Sequence, residues 1–232
     1  MAADEIVLSY EDSLIRQSDL MLIQNNDWIN DSIITFWFEY LSHEMFRDAE
    51  SRVSFISPEV TQLIKSADSH YSTTESVVTS LLESMSLTEK TLILMPLNDH
   101  SSRSMTAGGS HWTLIAIIRN TDHYKRDNFS FFHLDSLHSN SNQYAANQIF
   151  RVLQNTISYS PDAVICMDCT PQVNSYDCGI HVMVNADAVC QQVLHGDSRN
   201  LSQIAGPQSI RDMRPLLIDL IHDLRSKRAA EG

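Results

Sequence analysis

Four residues of this chain have the types that thiol attack on a carbonyl requires: His111, Asp135, Gln172 and Cys178. A thiolate attacks the carbonyl carbon, an imidazole takes the thiol proton and later passes it to the leaving amine, and a carboxylate holds the imidazole in the useful tautomer. The tetrahedral oxyanion needs donors as well. Gln172, shortly before Cys178, can offer its side-chain amide, and the backbone N–H of Cys178 can supply a second donor. Each residue alone has a blander reading, since a free cysteine usually behaves as a small core hydrophobe and a lone histidine at a strand start is usually structural. The constellation reverses that prior for Cys178.

These side chains must be brought together by the elements that carry them. HWTLIAII (111–118) and NFSFFHLD (128–135) are apolar runs of strand length, joined by RNTDHYKRD (119–127), a polar connection too short for a crossover helix. An antiparallel pair places the start of one strand beside the end of the other, so His111 and Asp135 become neighbours. Cys178 lies in NSYDCG, immediately before GIHVMVNADAVCQQVL (179–194), whose periodicity is helical and which Gly196 can stop. Its sulfur is therefore expected at a helix N-terminus, where the dipole favours an anion. Further strands are expected at 91–97 and 162–168, and further helices at 28–43, 74–85, 142–157 and 212–227, with Ser57 and Pro58 opening a short helix between the first two. Apolar strands of this kind imply a sheet covered on both faces, and the element order makes the fold α+β.

Bulk properties narrow the class. A chain of 232 residues, 43% hydrophobic, can bury one sizeable core, and a single domain over 1–232 is expected. A formal charge of −13 argues against an electrostatic grip on nucleic acid or on an anionic membrane. The N-terminus MAADEIVLSY has neither a basic region nor an apolar one, so the sequons at Asn30, Asn128 and Asn200 are discounted and an intracellular location, cytoplasm or nucleus, is expected. Four unevenly spaced cysteines read as reduced thiols. Cys166 and Cys169 form a CxxC without a second pair, so neither a metal nor a cofactor is expected. His133 is read as a packed or sheet-surface residue, and His181 receives no role. With no heptad seam, a monomer is expected.

The strings WIND (28–31), SFISPEVTQLIK (54–65), GGSHWTL (108–114), FFHLDS (131–136) and NSYDCG (174–179), in this order, resemble the ubiquitin-like-protein proteases of the sentrin/SUMO-protease family, and within it the NEDD8-specific deneddylase branch. The similarity runs from about Ile6 to about Cys190. It implies a papain-like cysteine protease fold, a mixed sheet flanked by helices, with His111, Asp135 and Cys178 as the triad and Gln172 as the oxyanion glutamine. It further implies that Trp28 and Trp112 close a narrow tunnel over a Gly-Gly tail, with Asp31 and the loop of Asn98 and Asp99 nearby. The activity implied is cleavage after the C-terminal Gly-Gly of NEDD8, both in its precursor and in conjugates such as neddylated cullins. A SUMO- or ubiquitin-directed protease, or a module that binds such a protein without cleaving it, is the alternative. The stretches at 68–80 and 119–127 are longer than the deneddylase pattern, and the latter carries Lys125 and Arg126 between His111 and Asp135.

Overall fold

A computed structural model describes residues 4–68, 75–100, 109–121, 127–138, 140–154, 157 and 163–231. Lys125, Arg126 and most of the glycine-containing loop before His111 lie outside the described residues.

The centre is a five-stranded mixed sheet of β3 (Val53–Phe55), β4 (Leu92–Asn98), β5 (Trp112–Thr121), β6 (Asp127–Leu134) and β7 (Ile165–Cys166), in that spatial order. The two inner pairings, β4–β5 and β5–β6, are antiparallel and the outer two are parallel. The expected hairpin is therefore present, with Leu114 opposite Leu134 and Thr121 opposite Asp127. β4 is buried along its apolar length from Leu92 to Leu97, because both faces of the sheet are covered. Successive side chains point to opposite faces and so feed two cores. Leu92, Leu94, Leu114, Ala116 and Leu134 enter one of them. Ile93, Met95, Ile115, Ile117 and Phe131 enter the other.

The first core is closed by α2 (Asp31–Tyr40), α6 (Cys178–His195) and α8 (Pro207–Glu231), together with a two-stranded hairpin of β1 (Ile6–Tyr10) and β2 (Ser13–Arg16) and the helix α1 (Gln17–Gln24) that follows it. The second is closed by α3 (Pro58–Ser66), α4 (Glu75–Ser84) and α5 (Asn140–Leu153). One further short helix, α7 (Leu201–Ile204), leads into α8.

Local chemistry sets several boundaries. As the sequence predicts, Ser57 caps α3, its Oγ accepting from Val60 N at 3.3 Å, with Pro58 in the first turn. The helix expected over 28–43 begins only at Asp31, because Asn30 is its cap and accepts from Ile33 N at 3.1 Å. It passes into a π-turn at Leu41–Met45. The strand expected over 162–168 is just two residues long, since it sits exposed at the sheet's edge. The C-terminal helix is longer than expected, starting at Pro207 and running through Pro215. The N-terminal hairpin and β3 are not anticipated by periodicity, being too short to show one.

Candidate active site

His111 and Asp135 each lie one residue outside a paired strand, His111 just before β5 and Asp135 just after β6. The antiparallel register carries the two side chains into contact, and His111 Nε2 lies 2.6 Å from Asp135 Oδ1. The same carboxylate oxygen accepts from Leu137 N at 2.9 Å, so its orientation is fixed from the turn beyond the strand. The His111 backbone is held as firmly. Asp99 Oδ1 accepts from His111 N at 3.1 Å and from Ser110 N at 2.6 Å, Asp99 N donates to His111 O at 3.2 Å, and the buried Asn142 on α5 donates to His111 O at 3.3 Å.

Cys178 is the first residue of α6 and is only 2% exposed. With Nε2 committed to Asp135, Nδ1 is the ring nitrogen left for the thiol. Nδ1 is buried, and Cys178 is among the groups that act on the ring. Burial is the largest influence on His111 and pushes its pKa down. Hydrogen bonding and charge from Asp135 and Cys178 together outweigh it and raise the imidazole to about 9. The ring is thereby stabilised in its charged form, the form that holds a proton taken from the thiol and donates it to a leaving amine.

Gln172 is held at both ends of its amide. Its Oε1 accepts from Ser136 Oγ at 3.0 Å, its Nε2 donates to Asn174 O at 2.6 Å, and its backbone N donates to Ser136 O at 2.9 Å. One Nε2 hydrogen thus remains for a further acceptor. Asn174 Oδ1 in turn accepts from Tyr176 N and Asp177 N, shaping the turn into Cys178.

The WIND segment divides its work residue by residue. Trp28 is 49% exposed, Ile29 is buried, Asn30 caps α2 and Asp31 is exposed on its first turn. Trp112 Nε1 donates to Ile29 O at 3.0 Å, which makes the two tryptophan-bearing segments neighbours. Ile29 also packs on Gly179, where an added Cβ would lie 2.7 Å from Ile29 Cβ. On the far side, Asn98 Oδ1 accepts from His100 N at 2.8 Å and lies over Gly109, whose φ of +99° and lack of a side chain permit the approach. Lys65 ties this loop to α3, donating to Asn98 O and His100 O, both at 2.7 Å. Burial, partly opposed by the charge of Asp99, lowers Lys65 to about 8.

Other candidates fall outside this group. His133 is buried between Gln143 Oε1 and Thr113 Oγ1, at 3.1 and 3.0 Å. His181 is buried, and burial drives it down to about 4, so it is neutral on the helix that Cys178 begins. Cys166 is exposed and Cys169 buried, both free thiols. Lys65, Ser136, Asn142, Asn174 and Arg214 all bond to the site or to its immediate supports, yet the sequence does not single them out. A polar residue at a buried helix position was the signal for Lys65 and Arg214, and it becomes readable only when the helix's neighbours are known.

A model of the Ulp1 protease family's C-terminal catalytic domain matches residues 27–214. The chain is 38% identical over 226 residues to human sentrin-specific protease 8, covering 97% of this chain and 100% of that protein. It is 28% identical to the NEDD8-specific protease 1 of Arabidopsis thaliana, covering 98% and 97%. Among solved structures, a de-sumoylating protease superposes with a TM-score of 0.69 at 17% identity, over 99% of this chain and 94% of the other.

Proposed function

The chain belongs to the Ulp1 protease family of cysteine peptidases, and from that premise we propose that it cleaves after the C-terminal Gly-Gly of a ubiquitin-like protein, with NEDD8 as that protein. The observation that carries the chemistry is the 2.6 Å His111–Asp135 pair beside the first residue of α6. Cys178 is the nucleophile, His111 the general base and then acid, Asp135 the orienting carboxylate. The oxyanion receives the remaining Nε2 hydrogen of Gln172 and the Cys178 N–H, which has no partner within its own helix. Trp28 and Trp112 form the walls over the tail, and residues without side chains pass between them, so Gly-Gly selectivity follows from steric exclusion. Asp31 and Asn98 flank this entry. The choice of NEDD8 is supported by the near full-length similarity to sentrin-specific protease 8 and to a NEDD8-specific protease. Both maturation of a precursor and release from lysines, cullin conjugates included, use this one reaction. The enzyme acts as a single intracellular domain.

The test is a panel of NEDD8, SUMO and ubiquitin, each carrying a C-terminal electrophile, with intact-mass measurement of the wild type and of Cys178→Ala. An adduct with NEDD8 that is lost in Cys178→Ala is expected. Reaction with SUMO or ubiquitin in place of NEDD8 would overturn the partner, and no adduct with any member would overturn the protease reading.

A further inference from the structure

Arg214, on the C-terminal helix α8, reaches into the site from behind. It is 7% exposed, and its guanidinium is spent on four partners. Nε and Nη2 donate to Asp177 Oδ1 at 3.0 and 2.9 Å, Nη1 donates to Leu22 O and Ile23 O at 3.0 and 3.3 Å, and Nη2 donates to Asp27 O at 2.7 Å. One planar fork thus joins three pieces of chain: the start of α6, the end of α1 and the segment leading into Trp28.

The partner of interest is Asp177. It is the N-cap of α6, a position where a carboxylate ordinarily turns back to accept from the helix's first N–H groups. Here its side chain makes no cap hydrogen bond. Oδ1 is taken by Arg214, and Oδ2 accepts from Asn174 Nδ2 at 2.7 Å. A carboxylate in the ordinary cap position would occupy and neutralise the positive helix end, and would set a negative charge beside an anionic sulfur and a developing oxyanion.

We propose that Arg214 is a positioning residue that turns the Asp177 carboxylate away from the start of α6 and neutralises it, leaving the N–H groups beside Cys178 open to the reaction's negative charge. This rests on the cysteine-protease reading above. The same guanidinium, through Asp27 O, holds the approach to Trp28. Its two arms therefore have separable consequences: the Asp177 arm governs turnover and the Asp27 arm governs the grip on the tail.

The test compares the wild type, Arg214→Met and Asp177→Ala/Arg214→Met in steady-state cleavage of a NEDD8 C-terminal fusion, below the melting temperature of every variant. Arg214→Met lowers kcat at least tenfold and raises KM. Adding Asp177→Ala removes the freed carboxylate and brings kcat back to within about threefold of wild type, while KM stays raised. A purely structural pair would show its defect and its rescue in melting temperature, with kcat of the folded enzyme near wild type in both variants. The inference is overturned if folded Arg214→Met keeps wild-type kcat, or if the second substitution leaves kcat depressed. Breaking one partner of a buried ion pair is the more disruptive change, and removing both is better tolerated. Should Arg214→Met not fold, the double variant decides alone: kcat near wild type supports the inference and a loss of tenfold or more overturns it. A wild type inert on the fusion and on the whole electrophile panel sinks the protease reading instead.

Discussion

His111 is subject to opposing influences, and which of them wins decides its protonation. Burial favours the neutral ring, whereas Asp135 and the Cys178 sulfur favour the charged one and prevail, raising the group from 6.5 to about 9. Because the folded value lies above the unfolded one, the native state binds the extra proton between those limits and stability falls as pH rises through them. The contribution is whole below about 6.5 and gone above about 9. In Asp135→Asn the burial effect loses its main opponent, so the His111 resonance in an NMR titration should move well below its wild-type midpoint, and the decline of melting temperature over this range should flatten. Turnover should fall by roughly two to four orders of magnitude; an unchanged midpoint would contradict the assignment of Asp135. At this scale the sequence was informative, because His111, Asp135 and Cys178 each stand at an element boundary that periodicity marks. It could not disclose which imidazole nitrogen Asp135 takes, or that both ends of the Gln172 amide are held, since neither has a periodicity.

At the scale of elements, the start of α6 and the WIND segment are pressed together more tightly than either sequence pattern implies. Gly179 is the contact point. Replacing a helical glycine by alanine ordinarily stabilises by about 1 kcal/mol, but here the new Cβ would lie 2.7 Å from Ile29 Cβ. Overpacking of this kind costs about 1–3 kcal/mol and wins. Gly179→Ala should therefore lower the urea midpoint and, by moving Ile29 and with it Trp28, raise KM for a NEDD8 fusion; a stabilised variant with unchanged KM would refute the contact. The helix over 28–43 is a partial reading for the same reason. Its apolar spacing was visible, but Trp28 and Ile29 belong to the wall that meets Gly179, and the α-turn starts only where Asn30 can cap it.

For the whole molecule, the sheet separates a core that carries α6 and the WIND segment from one whose helices reach the site through polar tethers, Asn142 to His111 O and Lys65 to the Asn98 loop. α2, α6 and α8 lie on the first face and α3, α4 and α5 on the second. Leu153→Ala, at a fully buried position of the second core, should cost about 2–5 kcal/mol of stability. It should leave kcat of the folded protein within about threefold of wild type; a larger kcat loss would mean that strain crosses the sheet into the site. The α+β class and the central hairpin were readable from runs of strand length. Strand order was not, because the parallel edge strands β3 and β7 are three and two residues long and pair with partners distant in sequence.

Arg214 lies 37 residues beyond Asp177 and 187 beyond Asp27. A ribosome makes His111, Asp135 and Cys178 before the guanidinium that holds the start of α6. At ordinary elongation rates of about 5–20 residues per second, the gap lasts roughly two to seven seconds. Through that interval the growing chain carries His111, Asp135 and Cys178 without the brace, and full turnover would arrive only with α8.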